Sequence, residues 1–341
     1  MTRAGQPDSV VLRRLLRAVD PDLTLVHAHA LEGGVSAQVT RIDAVLPDGT
    51  ADTLVLRQYG AANLRTDPLT ASHEYQLLTR LRAAGLPVPR PRYADESRAI
   101  LPAPLLVTEF VEGIAVTGPA QLSQPRAAFT GQLAATLASI HQAGISAVDL
   151  PHLTEIRGLA TTKIGTWPSS LDEALDEAAV RAALTRVWPP PQVNQPVLLH
   201  GDYWPGNTLW HDGTLVGVID WEDAVLGDPV ADVANARMEL TMLFSAAAAR
   251  DFTCQYGELM PSVDLTALPH WDLYAALRHA GRMTEWGLTP ADLARLQAGH
   301  REFTAAALAR LPSRAASVQN DLVPDADERS ALDRQEDEST P

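Results

Sequence analysis

Hydrophobic and polar residues in the first third of the chain follow two spacings, one typical of helices and one typical of strands. Helical spacing predicts helices over residues 9–19 and 70–84, the second ending at Gly85 ahead of Pro87. Alternation predicts strands over residues 25–30, 36–45, 53–58 and 105–110. A turn signal, Pro47-Asp48-Gly49, joins the second and third strands, so these two are expected to form an antiparallel hairpin.

Beyond residue 110 the pattern becomes mainly helical. Helices are predicted over residues 125–142 and 171–187, and another begins at Asp228-Pro229, where aspartate is a favourable N-cap and proline a favourable first residue. Three short apolar runs lie before this last helix, over residues 197–200, 208–211 and 215–220, and an Asp212-Gly213 turn joins the last two. A small antiparallel-sheet half followed by a larger helical half predicts an α+β fold with two unequal lobes.

The short apolar runs carry the residues best suited to chemistry. Asp202 follows the first run in a loop with glycine and proline, Asn207 comes five positions later, and Asp220 ends the third run. A strand, a loop and a hairpin can bring these three side chains to one edge of a cleft. Carboxylate and amide oxygens are ligands that Mg²⁺ prefers, and a carboxylate can also accept a proton. The set therefore suits phosphoryl transfer, which needs positioning, a base and cations on the phosphates.

The motif formed by these residues resembles that of a known protein family. His200-Gly-Asp202, Asn207 and Asp220 resemble the catalytic loop and metal-binding aspartate of the protein-kinase-like fold. The run Leu-His-Gly-Asp-x-Trp-x-Gly-Asn is similar to the aminoglycoside phosphotransferase, fructosamine kinase and choline kinase branch, and residues 219–232 resemble the aminoglycoside phosphotransferases most. The resemblance implies a bilobal small-molecule kinase that uses ATP or GTP with Mg²⁺. Asp202 would be the catalytic base, and Asn207 and Asp220 would hold the metal.

The resemblance also implies roles for residues upstream. Its nucleotide-binding lobe would span residues 1–108, and its catalytic and substrate-binding lobe residues 109–312. The implied nucleotide contacts are the covering-loop residues Gly33, Gly34 and Ser36, the third-strand cation Arg57, its helix partner Glu74, and Glu109 and Val111 of the hinge. The chain departs from the protein-kinase pattern at Arg57, which stands in the lysine position, and at Trp204, which argues against a peptide acceptor.

Composition restricts the partners. The net charge of −15 disfavours nucleic-acid binding, which needs a positive surface. No apolar run is long enough to span a bilayer, the N-terminus lacks a signal-peptide pattern, and the single cysteine excludes an internal disulfide. These features predict a cytoplasmic protein. Residues 313–341 contain eight acidic and three basic side chains and predict a disordered acidic tail.

The sequence pattern is compatible with several classes of acceptor. An acidic cleft concentrates cations, so a cationic acceptor is one alternative, with Glu239, Asp272 and Glu285 as candidate contacts; the simpler explanation of the charge is solubility. Antibiotic, fructosamine-, choline- and homoserine-type acceptors are all compatible with the pattern, and so is any oligomeric state. Two further alternatives are a pseudokinase, suggested by Arg57, and a metallohydrolase built on His200 and Asp202, which would need further ligands.

Overall fold

A computed structural model describes residues 7–31 and 37–311. Its first part is a five-stranded antiparallel sheet in the order β1-β2-β3-β5-β4. The strands are β1 (Thr24–Ala30), β2 (Ala37–Val45), β3 (Ala51–Tyr59), β4 (Pro91–Asp95) and β5 (Leu105–Glu109). The accompanying helices are α1 (Ser9–Val19), α2 (Ala61–Thr66) and α3 (Thr70–Ala83).

Strand β3 presents its alternate residues to two different environments, because successive side chains of a strand point to opposite faces. Leu54 and Leu56 are fully buried in a cluster that includes Leu15 of α1. Val55 and Arg57 lie on the opposite face and line a cavity. The period of two therefore directs the cation of β3 away from the apolar core under α1 and towards this cavity.

The second part of the chain is mainly helical. Its helices are α4 (Arg126–His141), α5 (Ile156–Gly165), α6 (Glu177–Val187), α7 (Val230–Leu243), α8 (Ala246–Leu259), α9 (Leu268–His279) and α10 (Pro290–Arg310). Helix α7 is buried along nearly its whole length and packs against α8, α9 and α10. Within the described ranges, none of the helices combines the length and apolar character needed to cross a membrane.

Two small sheets lie among these helices. One consists of β6 (Ile114–Ala115), β8 (Thr208–His211) and β9 (Thr214–Val218), and the other pairs β7 (Val197–Leu199) with β10 (Val225–Gly227). The hairpin β8–β9 was expected from its Asp-Gly turn, and the mixed α+β class is confirmed. The acidic tail predicted over residues 313–341 lies outside the described residues.

Several elements differ from the sequence prediction. Strand β4 and helices α2 and α5 were not predicted, and α6 begins six residues later than the helical spacing indicated. Strand β4 opens with a proline, which a strand at the edge of a sheet tolerates because one row of its backbone groups pairs with no neighbour. Helix α2 has no buried residue, so it lacks the apolar stripe by which a helix is recognised in sequence.

A buried arginine holds the end of α5 against α6. Arg181 of α6 forms an ion pair with Glu177 at 2.8 Å, and both side chains are buried. Its Nη1 donates hydrogen bonds to the carbonyl oxygens of Lys163, Ile164 and Thr166, at 2.9, 3.2 and 3.1 Å. These carbonyls lie at the C-terminal end of α5, where carbonyl groups have no N–H donor within the helix. Arg181 therefore fixes the position of Lys163 in the fold.

We expect Arg181→Met to lower the free energy of unfolding by about 3 kcal/mol, because it leaves the Glu177 carboxylate buried without its partner. Arg181→Lys should rescue little, since one ammonium cannot reproduce the guanidinium fork. Denaturant unfolding of both variants would measure this. The matched control is Arg186→Met, which removes an exposed arginine from the same helix. Equal losses in Arg181→Met and Arg186→Met would contradict the prediction.

Candidate active site

The loop after β7 is held by an aspartate from α7. The Asp232 carboxylate is buried and accepts hydrogen bonds from the backbone amides of His200 and Gly201, at 2.7 and 3.0 Å. His141 of α4 lies against the same carboxylate at 3.4 Å. Asp232 thus braces the loop that carries Asp202.

Both ring nitrogens of His200 are engaged with the backbone. Nδ1 lies 3.2 Å from the Asp202 amide, which donates to it, so Nε2 carries the proton and donates to the Ile219 carbonyl at 3.0 Å. His200 is fully buried. This arrangement leaves no ring nitrogen for a metal, which removes the basis for the metallohydrolase alternative.

Gly201 is required by the shape of the same loop. Its φ is +79°, in the left-handed region that glycine favours, and a Cβ built on it would lie 1.9 Å from the Asp223 carbonyl oxygen. The close approach brings the segment after β9 directly against the loop. A side chain at position 201 would therefore separate the two segments that carry Asp202 and Asp220.

The Asp202 carboxylate lies among polar side chains from three elements. It is 3.2 Å from Asn207 Nδ2, 3.4 Å from Asn235 Nδ2 and 3.5 Å from Arg278 Nη2. About a third of the side chain, 32%, stays exposed. Burial of the carboxyl group raises the pKa of Asp202 above its ordinary value, and the positive charge of Arg278 opposes that rise.

Asn207 and Asp220 are joined through the backbone. The Ile219 amide donates to the Asn207 carbonyl at 2.9 Å, which places the residue after it, Asp220, beside the turn that holds Asn207. Asp220 has a φ of +66°, a conformation that aspartate tolerates better than most residues, and 37% of its side chain is exposed. Both residues line the cavity.

A carboxylate cluster surrounds Arg57. Its Nη2 lies 2.6 Å from Asp220 Oδ1 and 2.6 Å from Glu222 Oε2, and its Nη1 is 3.8 Å from Glu74 Oε1. Tyr59 donates to Glu74 at 2.7 Å. Burial disfavours the charged guanidinium, but the surrounding anions outweigh it, so the pKa of Arg57 lies well above its ordinary value. Burial also raises the pKa of the Glu74 carboxyl, while Arg57 lowers it.

The cavity itself has a volume of about 560 Å³ and lies between the sheet and the helical part. Arg57, Glu74, Asn207 and Asp220 line it together with the hinge segment that follows β5, including Glu109 and Val111. In the part of the chain that the structure describes, the Val111 amide has no hydrogen-bond partner. Gly33, Gly34 and Ser36, predicted to cover the nucleotide, lie outside the described residues.

Two of the three carboxylates suggested for a cationic acceptor, Glu239 and Asp272, have other partners. Glu239 is buried and lies 2.7 Å from His279 Nε2. Asp272 is buried and forms a two-point ion pair with Arg237, at 3.1 and 3.2 Å. Glu285 is exposed in a turn after α9.

Four polar residues of the site were not assigned a place in it from the sequence: Asn63, Asn235, Arg278 and Asp223. Asn63 donates to Glu222 at 2.7 Å. Arg278, on α9, donates to the Gly201 carbonyl, to Asn235 Oδ1 at 3.1 Å and to Asp223 Oδ2 at 3.1 Å. Arg278 stands 77 positions beyond Gly201, so no local motif connects them. The only sequence signal is a charged residue near the end of a mainly apolar helix that also carries Asp272.

The geometry described above agrees with a sequence family. The model of the phosphotransferase enzyme family, APH, matches residues 27–266. The chain belongs to this family. Solved structures with the same fold include an aminoglycoside-3′-phosphotransferase of type VIII (23% identity, TM-score 0.55, 76% of this chain and 96% of that one). Another is the amicoumacin kinase hAmiN (14% identity, TM-score 0.59, 88% of this chain and 94% of that one).

Two relatives of this family member differ in kind. Acyl-CoA dehydrogenase family member 10 of Mus musculus is 28% identical over 192 residues, which cover 53% of this chain and 18% of the mouse protein. Homoserine kinase of Azorhizobium caulinodans is 26% identical over 283 residues, covering 77% of this chain and 82% of that one. The chain thus spans less than a fifth of the mouse protein but most of the homoserine kinase.

We expect Gly201→Ala to destabilise the protein far more than Gly49→Ala. Gly49 has a similar φ of +86° with no atom within 4 Å of its built Cβ, so its substitution reports only the strain of the left-handed conformation, about 1–2 kcal/mol. Gly201→Ala adds the collision with Asp223. Denaturant unfolding measures both, and equal losses would show that the loop relaxes without cost.

Proposed function

We propose that this family member is a magnesium-dependent phosphotransferase that moves the γ-phosphate of ATP to a hydroxyl group of a small polar acceptor. The proposal depends on one observation: the base candidate Asp202 contacts Asn207, and Asn207 shares a cavity with Asp220 and Arg57. A proton acceptor, oxygen ligands and a fixed cation therefore stand side by side, as phosphoryl transfer requires.

The cavity suits a nucleotide. Its hinge end offers the free amide of Val111 beside Glu109, and apolar side chains such as Leu106 and Leu209 line its walls. At the other end, Arg57 Nε is buried with no hydrogen-bond partner in the described residues, so a phosphate oxygen would satisfy it. Gly33, Gly34 and Ser36 would cover the phosphates.

Adenine and guanine nucleotides are both represented among proteins with this fold. The amicoumacin kinase was solved with AMP-PNP and Ca²⁺, and APH(2″)-IIia with GDP and kanamycin. We favour ATP for this chain and keep GTP as the alternative that a nucleotide titration would decide.

The donor set near Arg57 fits a magnesium ion. Three carboxylates, those of Glu74, Asp220 and Glu222, surround one guanidinium, which leaves an excess of negative charge. Asp220 and Asn207 supply the oxygen ligands that this ion prefers, and nucleotide phosphates and water would complete its shell. Bound there, Mg²⁺ would neutralise charge on the phosphates. Arg57, positioned by Glu74, would bind the phosphate oxygens directly.

Asp202 would orient the acceptor hydroxyl and take its proton as the oxygen attacks phosphorus. Two side-chain amides, those of Asn207 and Asn235, hold the carboxylate in place, while Arg278 keeps its ionised form favourable in a recess that otherwise disfavours charge. Because Arg278 acts through Asp202 rather than on the substrate, it is a positioning residue.

The relatives support a general chemical class for the acceptor. A homoserine kinase and several antibiotic kinases share the fold or part of the sequence, and all of them have small polar substrates with hydroxyl groups. Trp204, where protein kinases carry a lysine, argues against a peptide substrate.

Loss of the proposed base and loss of the proposed metal ligand should have different effects. Asp202→Asn should lower kcat by about 10²–10⁴-fold while Mg·ATP still stabilises the protein, because the base is lost but the nucleotide site is not. Asp220→Asn should weaken Mg·ATP binding itself. Coupled nucleotide consumption with a panel of hydroxylated acceptors, together with thermal shift, measures both effects.

The control for these variants is Asp212→Asn, which changes a fully exposed aspartate in the β8–β9 turn. Unchanged turnover in Asp202→Asn, or a wild-type protein that does not bind Mg·ATP at millimolar concentration, would reject the proposed function.

The activity should depend on pH through the protonation of Asp202. A base with a raised pKa must lose its proton before it works, so kcat/KM should fall as pH decreases through that raised pKa, above the range of an ordinary aspartate. Arg278→Met should move the acid limb of the profile to higher pH, because the cation that favours the carboxylate is gone. Arg278→Lys should move it less. An unshifted limb in Arg278→Met would show that Arg278 only stabilises the fold.

A further inference from the structure

A tryptophan forms part of the cavity wall beside the proposed metal ligands. Trp204 and Gly206 line the cavity together with Asn207 and Asp220. The Trp204 carbonyl accepts a hydrogen bond from the Asn207 amide at 3.0 Å, which closes the single turn Pro205–Asn207. Trp204 is therefore fixed at the end of the cavity where the phosphates of a bound nucleotide would lie.

The indole of Trp204 packs directly on Gly206. A Cβ built on Gly206 would lie 2.1 Å from Cη2 of the indole and 2.4 Å from both Cζ2 and Cζ3. Carbon atoms that are not bonded to each other do not approach this closely, so only glycine at position 206 admits the ring in this place. The contact holds the ring against the backbone that leads to Asn207.

A wall of this kind holds water poorly. The ring carbons of an indole form no hydrogen bonds, and its single polar group is an N–H that donates but cannot accept. A water molecule next to the ring therefore finds no group there that accepts its protons. The polar groups of this end of the cavity, those of Arg57, Asn207 and Asp220, are the ones that a magnesium nucleotide would itself occupy.

Water competes with the alcohol acceptor in the proposed reaction, because Asp202 would take a proton from either. In both cases the attacking oxygen bonds to the γ-phosphorus of ATP, the bond between that phosphorus and the bridging oxygen of ADP breaks, and the proton passes to Asp202. With the alcohol the product is a phosphate ester, and with water it is inorganic phosphate. An active site that excludes water suppresses the second reaction.

We propose that Trp204, held in place by its contact with Gly206, excludes water from the γ-phosphate and so favours transfer to an alcohol over hydrolysis of ATP. This inference rests on the proposed function. Trp204 is thus a specificity-determining residue, and it discriminates between water and an alcohol as the nucleophile.

The first test measures release of inorganic phosphate from saturating Mg·ATP without an acceptor. Trp204→Ala should raise this rate by about tenfold, because the space that the ring leaves admits water beside the phosphate. Trp204→Phe should keep the rate near that of the wild type, since it replaces one apolar ring with another. Adding Asp202→Asn to Trp204→Ala should remove the gain, because hydrolysis would use the same base. The matched control is Trp167→Ala, which removes an exposed tryptophan from the loop after α5 and should leave the rate unchanged.

Two further measurements test the position of the ring. Gly206→Ala should also raise acceptor-free hydrolysis, because the added methyl group collides with the outer edge of the indole and displaces it, and it should add little when combined with Trp204→Ala. Binding of Mg·ATP should change the tryptophan fluorescence. Part of that change should be lost in Trp204→Phe and kept in Trp167→Phe. Thermal unfolding identifies any variant that has lost its fold, and Gly206→Ala carries the test if Trp204→Ala does not fold.

Failure of this inference and failure of the proposed function give different results. If folded Trp204→Ala or Gly206→Ala binds Mg·ATP but hydrolyses it no faster than the wild type, the inference is overturned and the function stands. A fluorescence change that survives intact in Trp204→Phe would also overturn the inference, because the indole would then lie away from the nucleotide. A wild-type protein that never binds Mg·ATP would reject both.

Discussion

The buried guanidinium of Arg57 is the interaction around which the candidate site is organised. A cation can be buried only when anions surround it, and here they come from α3 and from the segment after β9. The same contacts draw the sheet, its helix and the end of the hairpin to one cavity. Arginine suits this place because its fork reaches several carboxylates at once, which the single ammonium of a lysine does not.

The loop that carries Asp202 depends on a second long-range contact. Asp232 of the central helix α7 holds two successive loop amides, and Gly201 lets the loop approach the backbone of Asp223. These contacts set the direction in which Asp202 points. Rigid support of this kind matters for phosphoryl transfer, because positioning supplies most of the catalysis.

Charge is sorted across the site in a way that the net charge does not reveal. Carboxylates are in excess around Arg57, where a magnesium nucleotide would bind, whereas Asp202 lies 3.5 Å from the guanidinium of Arg278. The excess of negative charge around Arg57 favours a ligand that brings a cation with it, as a magnesium-bound nucleotide does.

The sequence by itself determined the structural features that depend on residues close together along the chain. Alternation and helical spacing predicted most strands and helices. The reason is that the side of a strand or helix to which a residue points depends on its position relative to its neighbours in sequence. Asp202, Asn207 and Asp220 could be proposed as a set because a loop and a hairpin connect them over a short stretch of the chain. The pairing of Arg57 with Glu74 could be expected as well, since an isolated cation on an apolar strand requires a counter-charge.

Only the tertiary structure decided which distant side chains complete the site. Arg278 and Asn235 reach Asp202 from α9 and α7, and their sequence positions carry no motif that would reveal it. Packing likewise gave Glu239 and Asp272 basic partners, whereas a cationic acceptor would need carboxylates that are free to bind it. The physical reason is that periodicity reports which face of an element is buried, whereas charge pairing depends on which elements meet.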